Sequence, residues 1–184
     1  MNDTSKVDIA SLFPTPLAKV LIPPELSVAC NFLDKTPMLH DKESKGEYGV
    51  HSENTYIMDE PECAELKNYI LKLVTDFGRN ILMYGYEEYV FSQTWVSWKE
   101  PGQFHTAHTH PNSVISAVFF YGYSEGNTPA LMFHKQSGGL YTQSMMLKKR
   151  VLKENEELSP YAWETFTIPF KPGLLLIFLS LIHI

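Results

Sequence analysis

Apolar residues between Pro61 and Met83 recur every three or four positions, which is the spacing of one side of an α-helix. Asp59 stands where a helix-capping side chain is expected, and Gly85 can end the helix in a left-handed conformation. The pattern predicts a helix that packs against the outside of a sheet, with one apolar stripe formed by Leu66, Tyr69, Ile70, Leu73, Val74, Phe77 and Ile81.

The N-terminal part of the chain shows shorter patterns. Residues 8–22 alternate short apolar runs with prolines, which is typical of an extended strand at a sheet edge. Pro23 and Pro24 precede a short run at helical spacing, so we predict a short helix that includes Leu26, Cys30 and Leu33. The polar segment from Lys35 to Thr55 is predicted to be a loop.

From Tyr89 onward, β-branched and aromatic residues crowd into short runs that turn residues separate. Several short strands after helices predict a mainly β fold, a jelly-roll-like barrel at about 89–178 with a helical buttress at about 23–85. The predicted strands are Tyr89 to Trp98, Val114 to Tyr123, Ala130 to His134, Glu164 to Ile168 and Leu174 to Phe178.

Composition and charge narrow the class of protein. A chain of 184 residues with 44% hydrophobic and 20% charged residues is an ordinary globular chain about one domain long. Its net charge of −6 argues against an electrostatic nucleic-acid binder, which would carry a clustered excess of Lys and Arg. We therefore expect no nucleic-acid partner, while the oligomeric state stays open.

The cysteines and the apolar runs indicate the cellular compartment of the protein. Cys30 and Cys63 lack the spacing of a redox or zinc pair, so we interpret them as small buried hydrophobic residues. The residues after Met1 are polar, unlike a signal peptide, and the apolar run from Leu174 to Leu179 is far shorter than the ~20 residues of a membrane helix. These features predict a cytoplasmic protein.

Three of the seven histidines lie within six residues, at His105, His108 and His110. Side chains at i and i+2 of a strand share a face, so His108 and His110 can converge on one metal ion while Thr109 turns away. Imidazole suits iron, zinc, copper and nickel. An extended chain would turn His105 to the opposite face, which makes it the weaker candidate. The alternative is that these are solvated histidines in a polar, turn-rich loop.

The segments around the histidines resemble a family of 2-oxoglutarate and iron(II)-dependent oxygenases of bacteria and phages. Its members carry a Trp-bearing strand, a His-x-His-Pro element and a Ser-Gly-Val-Tyr-Tyr strand in that order. Ala117 stands where the family often has glycine. The corresponding segments here are Ser92 to Trp98, Pro101-Gly102, His108 to Ser113 and Ser116 to Tyr121, and Leu12 to Leu17 also resembles the start of the family.

The resemblance implies a double-stranded β-helix, the cupin-like jelly roll. It also implies a dioxygenase that binds iron(II) and the cosubstrate 2-oxoglutarate and hydroxylates an unknown substrate. The implied ligands are His108 and His110, or one of them, together with a histidine near the C-terminal strand. His110 stands where the wider superfamily has a carboxylate. Tyr121, Ser113 and Ser116 are candidate cosubstrate contacts, with core packing the alternative for Tyr121 and turn capping for Ser113.

The last six residues, 179–184, depart from the family's final strand. They are also what the mosaic-end sequence of transposon-based library preparation encodes, so we expect residues 1–178 to be the single oxygenase-like domain and the tail to be non-native. On this hypothesis His183 imitates a third metal ligand by accident. The true ligand and the carboxylate-binding residue would lie beyond the recorded sequence, and the chain would be an incomplete fragment.

Two other classes of protein stay open. A cupin motif opens with a glycine, five further residues and then His-x-His, which fits Gly102 and His108-x-His110. The motif then expects a glutamate, where this chain has Val114 and Ile115. A cupin-type metal protein would bind metal without depending on 2-oxoglutarate. A non-enzymatic jelly-roll module for binding or assembly would use the same fold without metal, and fold alone does not choose between these functions.

Overall fold

The computed structural model describes residues 10–11, 14–39, 49–122, 130–135, 157, 159–160 and 163–180. These ranges contain two helices, α1 (Val28–Leu33) and α2 (Ala64–Asp76), the second of which runs into a π turn at Phe77–Ile81. Short 3₁₀ turns lie at Pro24–Ser27, Ile57–Asp59 and Pro61–Cys63. The strands are β1 (Leu17–Leu21), β2 (Met38–Leu39), β3 (Val50–Ser52), β4 (Ser97–Trp98), β5 (Ile115–Phe120), β6 (Ala130–His134), β7 (Thr165–Pro169) and β8 (Leu174–Leu179).

Strand β8 is the centre of a three-stranded antiparallel sheet, with β1 on one side and β5 on the other. Every residue from Leu174 to Phe178 is buried, so both faces of this strand are covered. Burial on both faces explains why the strand reads as an unbroken apolar run rather than an alternating one. The strand predicted there is confirmed, and so is the extended N-terminal segment that pairs with it as β1.

Two apolar clusters cover the two faces of β8. Leu175 and Ile177 belong to the helix-side core, which also holds the buried residues of α1 and α2. The alternate residues face the strand-side core, where β6 and β7 pack against the sheet. The buried members of the strand-side core are Phe133, Ile168, Leu174, Leu176 and Phe178.

The apolar stripe of α2 packs on the sheet as predicted, since Leu66, Ile70, Val74 and Phe77 are all buried. The predicted ends of the helix are wrong. Its first turn follows a 3₁₀ turn with no capping side chain, and the carboxylate of Asp59 instead accepts a hydrogen bond from Lys67 Nζ at 2.6 Å.

The C-terminal end of α2 differs from the prediction as well. The helix passes into the π turn, and beyond it Met83, with φ of 57°, takes the left-handed conformation that we expected at Gly85. A local sequence pattern does not fix this end, because the π turn widens the last turn of the helix and shifts the residue that must reverse the chain.

The second sheet, in the order β2-β3-β4, lies where the predictions are weakest. The segment from Lys35 to Thr55, predicted to be a loop, contains β2 and β3. The run from Tyr89 to Trp98, predicted to be one strand, forms regular pairs only in β4 and in an isolated parallel bridge between Thr94 and Tyr56. These strands are two or three residues long, too short for alternation to be visible.

The third sheet pairs β6 with β7 antiparallel, close to the predicted bounds. The described residues are thus mainly strands in antiparallel sheets, with two short helices, which is the predicted β-rich class. Their hydrogen bonding gives three separate sheets, so the closed double-stranded β-helix stays a prediction. Within the described ranges, no helix has the length and apolar character needed to cross a membrane.

Candidate metal centre

The three clustered histidines lie in a loop between β4 and β5, which begins with a tight turn. The Gln103 N–H donates to the Glu100 carbonyl at 3.0 Å, and Gly102 has φ of 88°. Proline followed by a glycine of positive φ at the two central positions is the pattern of a type II turn. This turn directs the chain toward the histidines.

The imidazole rings of His105, His108 and His110 lie together, and we call them the histidine group. The ring centroids of His105 and His108 are 4.5 Å apart, and those of His108 and His110 are 4.9 Å apart. The segment has no regular strand, so the grouping does not arise from strand alternation. For the same reason the expectation that His105 turns away is wrong.

A backbone hydrogen bond orients His108. Its Nδ1 lies 2.8 Å from the Thr106 carbonyl oxygen. Since a carbonyl oxygen can only accept, Nδ1 carries the proton and Nε2 holds the free lone pair. Metal-binding histidines usually donate their second ring N–H to a carbonyl or carboxylate in this way. The contact therefore prepares Nε2 of His108 to act as a ligand.

Backbone hydrogen bonds hold His110 beside Ser180, which follows β8 and belongs to the six-residue tail that we expect to be non-native. The His110 N–H donates to the Ser180 carbonyl at 3.0 Å, and the Ser180 N–H donates to the Val114 carbonyl at 3.1 Å. The Ser113 N–H donates to the His110 carbonyl at 3.1 Å, which closes a turn before β5. The loop thus continues the pairing of β5 with β8 and brings the histidine group to that end of the sheet.

The surroundings of His105 and His110 favour the neutral form of these two rings. Burial, followed by the nearby His108 and His105 rings, lowers the pKa of His110 below its ordinary value. Burial is also the main cause that lowers the pKa of His105, partly opposed by a hydrogen bond to the Thr106 carbonyl. A metal ion binds imidazole only in its neutral form, so these shifts reduce the proton's competition with a metal.

The described residues do not form a complete metal site. Among them, no group of three or more histidine, cysteine, aspartate or glutamate side chains is arranged to hold a metal ion. His183, which we expect to imitate a third ligand by accident, lies outside the described residues. The imidazoles of His108 and His110 fit two positions of an iron site, since imidazole is a ligand that iron accepts.

The predicted cosubstrate contacts lie in three different surroundings. The Ser116 hydroxyl lies 2.8 Å from that of the buried Ser180, at the end of the sheet that carries the histidine group. The Ser113 hydroxyl lies 3.0 Å from that of Ser92. Tyr121 packs against the helix-side core, as in the core-packing alternative given for it.

The surroundings of Tyr121 agree with a packing role. Burial, and then the charge of Asp34, raise the pKa of its phenol to about 12. The phenol therefore stays protonated at neutral pH, and it faces the helices rather than the histidine group.

A face of the second sheet borders the histidine group, and the sequence analysis did not single out its residues. His51 and Ser97 pair directly across β3 and β4, so their side chains share a face. Trp95 and Lys99 are each two residues from Ser97 along an extended chain and lie on the same face. The ring centroid of Trp95 is 5.7 Å from that of His110. The alternation of Trp95, Ser97 and Lys99 was the signal that could have identified this face.

The fold and the site together define a β-rich protein with a histidine-based candidate metal centre at one end of its main sheet. A family model described as "Putative 2OG-Fe(II) oxygenase" matches residues 93–183, which include the histidine group, β5 and β8. No curated protein matches the chain. The match supports the predicted resemblance to an oxygenase family that depends on iron(II) and 2-oxoglutarate.

Proposed function

We propose that the protein is an iron(II)- and 2-oxoglutarate-dependent dioxygenase that hydroxylates its substrate. The observation that carries this proposal is the juxtaposition of His108 and His110, with ring centroids 4.9 Å apart, at the end of β8. The family match covers both elements of that juxtaposition. Such sites take two ligands from a His-x-His or His-x-carboxylate element and a third from a distant strand, leaving open positions on the metal.

In this proposal His108 and His110 bind the iron, each through a neutral ring nitrogen. The Thr106 carbonyl fixes the ring of His108, and the bond from His110 N–H to Ser180 fixes the backbone of the second ligand. His105 contributes position and desolvation beside His108. The third ligand is not assigned, since His183 is expected to imitate a ligand by accident and lies outside the described residues.

The chain's own contribution is to hold the ligands and shield them from water, while bound iron(II) would supply the oxidising chemistry with oxygen and 2-oxoglutarate. Trp95 covers one side of His110, and its ring centroid is 5.7 Å away. Ser116 and Ser113 present hydroxyls near the histidine group and are the proposed contacts for a carboxylate of the cosubstrate.

The test is conversion of 2-oxoglutarate to succinate and carbon dioxide with consumption of oxygen, measured with and without iron(II). We expect iron-dependent succinate formation that His108→Ala abolishes. His110→Asp should retain more activity than His110→Ala, because aspartate restores a ligand of the kind that the wider superfamily uses. His134→Ala is the matched control, since His134 lies in β6, which belongs to a different sheet from β4 and β5.

The same assay distinguishes the alternatives. Succinate formation that neither His108→Ala nor His110→Ala changes would defeat the proposal. Tight metal binding without any dependence on 2-oxoglutarate would identify a cupin-type metal protein instead. A chain that binds no metal at all would favour a non-enzymatic jelly-roll module.

A further inference from the structure

Lys99 is held in a fixed place beside the histidine group. Its Nζ donates to the Ser97 hydroxyl at 2.8 Å, and its aliphatic stem passes over Gly49. A Cβ on Gly49 would lie 2.8 Å from Lys99 Cγ, and Gly49 has φ of 72°, which favours glycine. The glycine therefore makes room for the lysine stem, and the ammonium group has a defined position.

The ammonium group of Lys99 has no carboxylate partner among the described residues, where the ion pair found is that of Lys67 with Asp59. Glu100, its neighbour in sequence, instead accepts a hydrogen bond from Trp98 Nε1 at 3.0 Å. Lys99 is also half-buried, and burial lowers its pKa. A partly desolvated cation without a counter-charge is costly, and an anionic ligand would relieve that cost.

The face that carries Lys99 also carries His51 and Ser97, which pair directly across β3 and β4. An ammonium group has three donors, and one of those of Lys99 is used on Ser97. The other two are available to oxygen atoms of a ligand.

We propose that Lys99 and Ser97 form an anion subsite, which binds a carboxylate of a ligand held beside the histidine group. This inference rests on the proposed function and extends it, because it assigns a carboxylate to the ligand. That carboxylate could belong either to the molecule that is oxidised or to the distal end of 2-oxoglutarate. Both are anions that an ammonium and a hydroxyl recognise in the same way.

The first experiment needs neither iron nor turnover. Metal-free full-length protein is titrated with glutarate, a dicarboxylate without the 2-oxo group, and binding is followed by amide chemical-shift changes. We expect Lys99→Met to weaken glutarate binding about tenfold or more, because a charge-assisted contact is lost. Lys99→Arg should retain binding. Lys72→Met, which removes an exposed lysine of α2, is the matched control.

Ser97→Ala is a second variant that keeps the charge and removes the hydroxyl; we expect it to weaken binding severalfold. Equal glutarate affinities for wild type and Lys99→Met would overturn the proposal. So would the absence of measurable glutarate binding to the wild type, or an equal loss in Lys72→Met.

A second experiment identifies the source of the carboxylate. Iron-loaded protein is titrated with 2-oxoglutarate and with 2-oxopentanoate, which lacks the distal carboxylate. If Lys99→Met weakens only 2-oxoglutarate, the subsite holds the cosubstrate; if it weakens neither, while glutarate binding is lost, the subsite holds the substrate. Because the glutarate titration is metal-free, its failure leaves the oxygenase proposal intact, and absent turnover leaves the anion subsite intact.

Discussion

Gly78 shows how a single missing methyl group sets the packing at the end of α2. A Cβ at this position would overlap the phenol ring of Tyr89, with its Cζ only 2.5 Å away. We expect Gly78→Ala to lower the free energy of unfolding by about 1–3 kcal/mol, since the partly buried ring of Tyr89 would have to move. Urea denaturation measures the change.

Gly85→Ala is the matched control for this prediction. A Cβ on Gly85 meets nothing within 4 Å, and its φ is not positive. The control should stay within about 0.5 kcal/mol of the wild type. An equally small change in Gly78→Ala would show that the ring of Tyr89 does not occupy the space above Gly78.

The buried thiol of Cys63 is expected to lower the free energy of unfolding at alkaline pH. The side chain is fully buried, and burial, followed by the charges of Glu62 and Glu60, raises its pKa to about 11. The folded state therefore binds the thiol proton more tightly than the unfolded chain, whose thiol has a pKa near the ordinary value of 9.0. The stabilisation is complete below pH 9 and is lost as the pH rises toward 11.

The check is the urea midpoint measured across this pH range in wild type and in Cys63→Ala. The variant lacks the titrating group, so its stability should fall less steeply between pH 9 and 11. Equal slopes for the two proteins would contradict the assignment to Cys63.

At the residue scale, the candidate site could be predicted only in part. The spacing and the flanking segments identified His108 and His110 as ligand candidates. The position of His105 could not be predicted, because it depends on an irregular loop whose path the Pro101-Gly102 turn sets. The positions of Lys99 and His51 could not be predicted either, because the pairing of β3 with β4 brings their two segments together.

At the scale of elements, Phe178 of β8 joins the main sheet to the β6–β7 pair. It is fully buried, and its ring centroid lies 5.0 Å from that of Phe133 in an edge-to-face arrangement. We expect Phe178→Ala to cost about 3–5 kcal/mol of unfolding free energy, because it leaves a cavity between two sheets. Thermal or urea denaturation measures this cost.

Phe166→Ala in β7 is the control for Phe178→Ala. Phe166 is 39% exposed and stacks on Trp163 at the surface. Its removal should cost about 1 kcal/mol, as expected for one exposed aromatic pair. A similar cost for both variants would mean that β6–β7 does not pack on β8 through Phe178.

Helices and strands could be predicted from the sequence where a single segment has a recognisable hydrophobic pattern. The stripe of α2 and the apolar run of β8 each show their burial in the local pattern, because every turn or every position meets the core. β2, β3 and β4 were not predictable, since two or three residues carry no period and their pairing depends on partners far along the chain. The left-handed conformation of Met83 was not predicted, because it follows a π turn that has no recognisable pattern in the local sequence.

At the scale of the whole molecule, metal binding should stabilise the fold. The histidine group is tied to β8 through the bond from His110 N–H to Ser180, so unfolding of the sheet separates the proposed ligands. Once the site is saturated with iron(II), each further tenfold increase in iron(II) concentration should raise the free energy of unfolding by about 1.4 kcal/mol. Anaerobic thermal denaturation across an iron series measures this dependence.

The double variant His108→Ala/His110→Ala is the control, and its melting temperature should not depend on iron. If the wild type melts at the same temperature at every iron concentration, the folded protein has no preference for iron over the unfolded chain. That outcome would count against the candidate metal centre.

The pairing of β1 with β8 also constrains the order of events during synthesis. The residues paired across these strands are more than 150 positions apart. A nascent chain that has not yet reached Leu174 lacks the strand that β1 and β5 both require, so their edges stay open to other partners. Closure over so long a loop slows folding. Chaperone demand during translation should therefore be set by the late arrival of one six-residue strand.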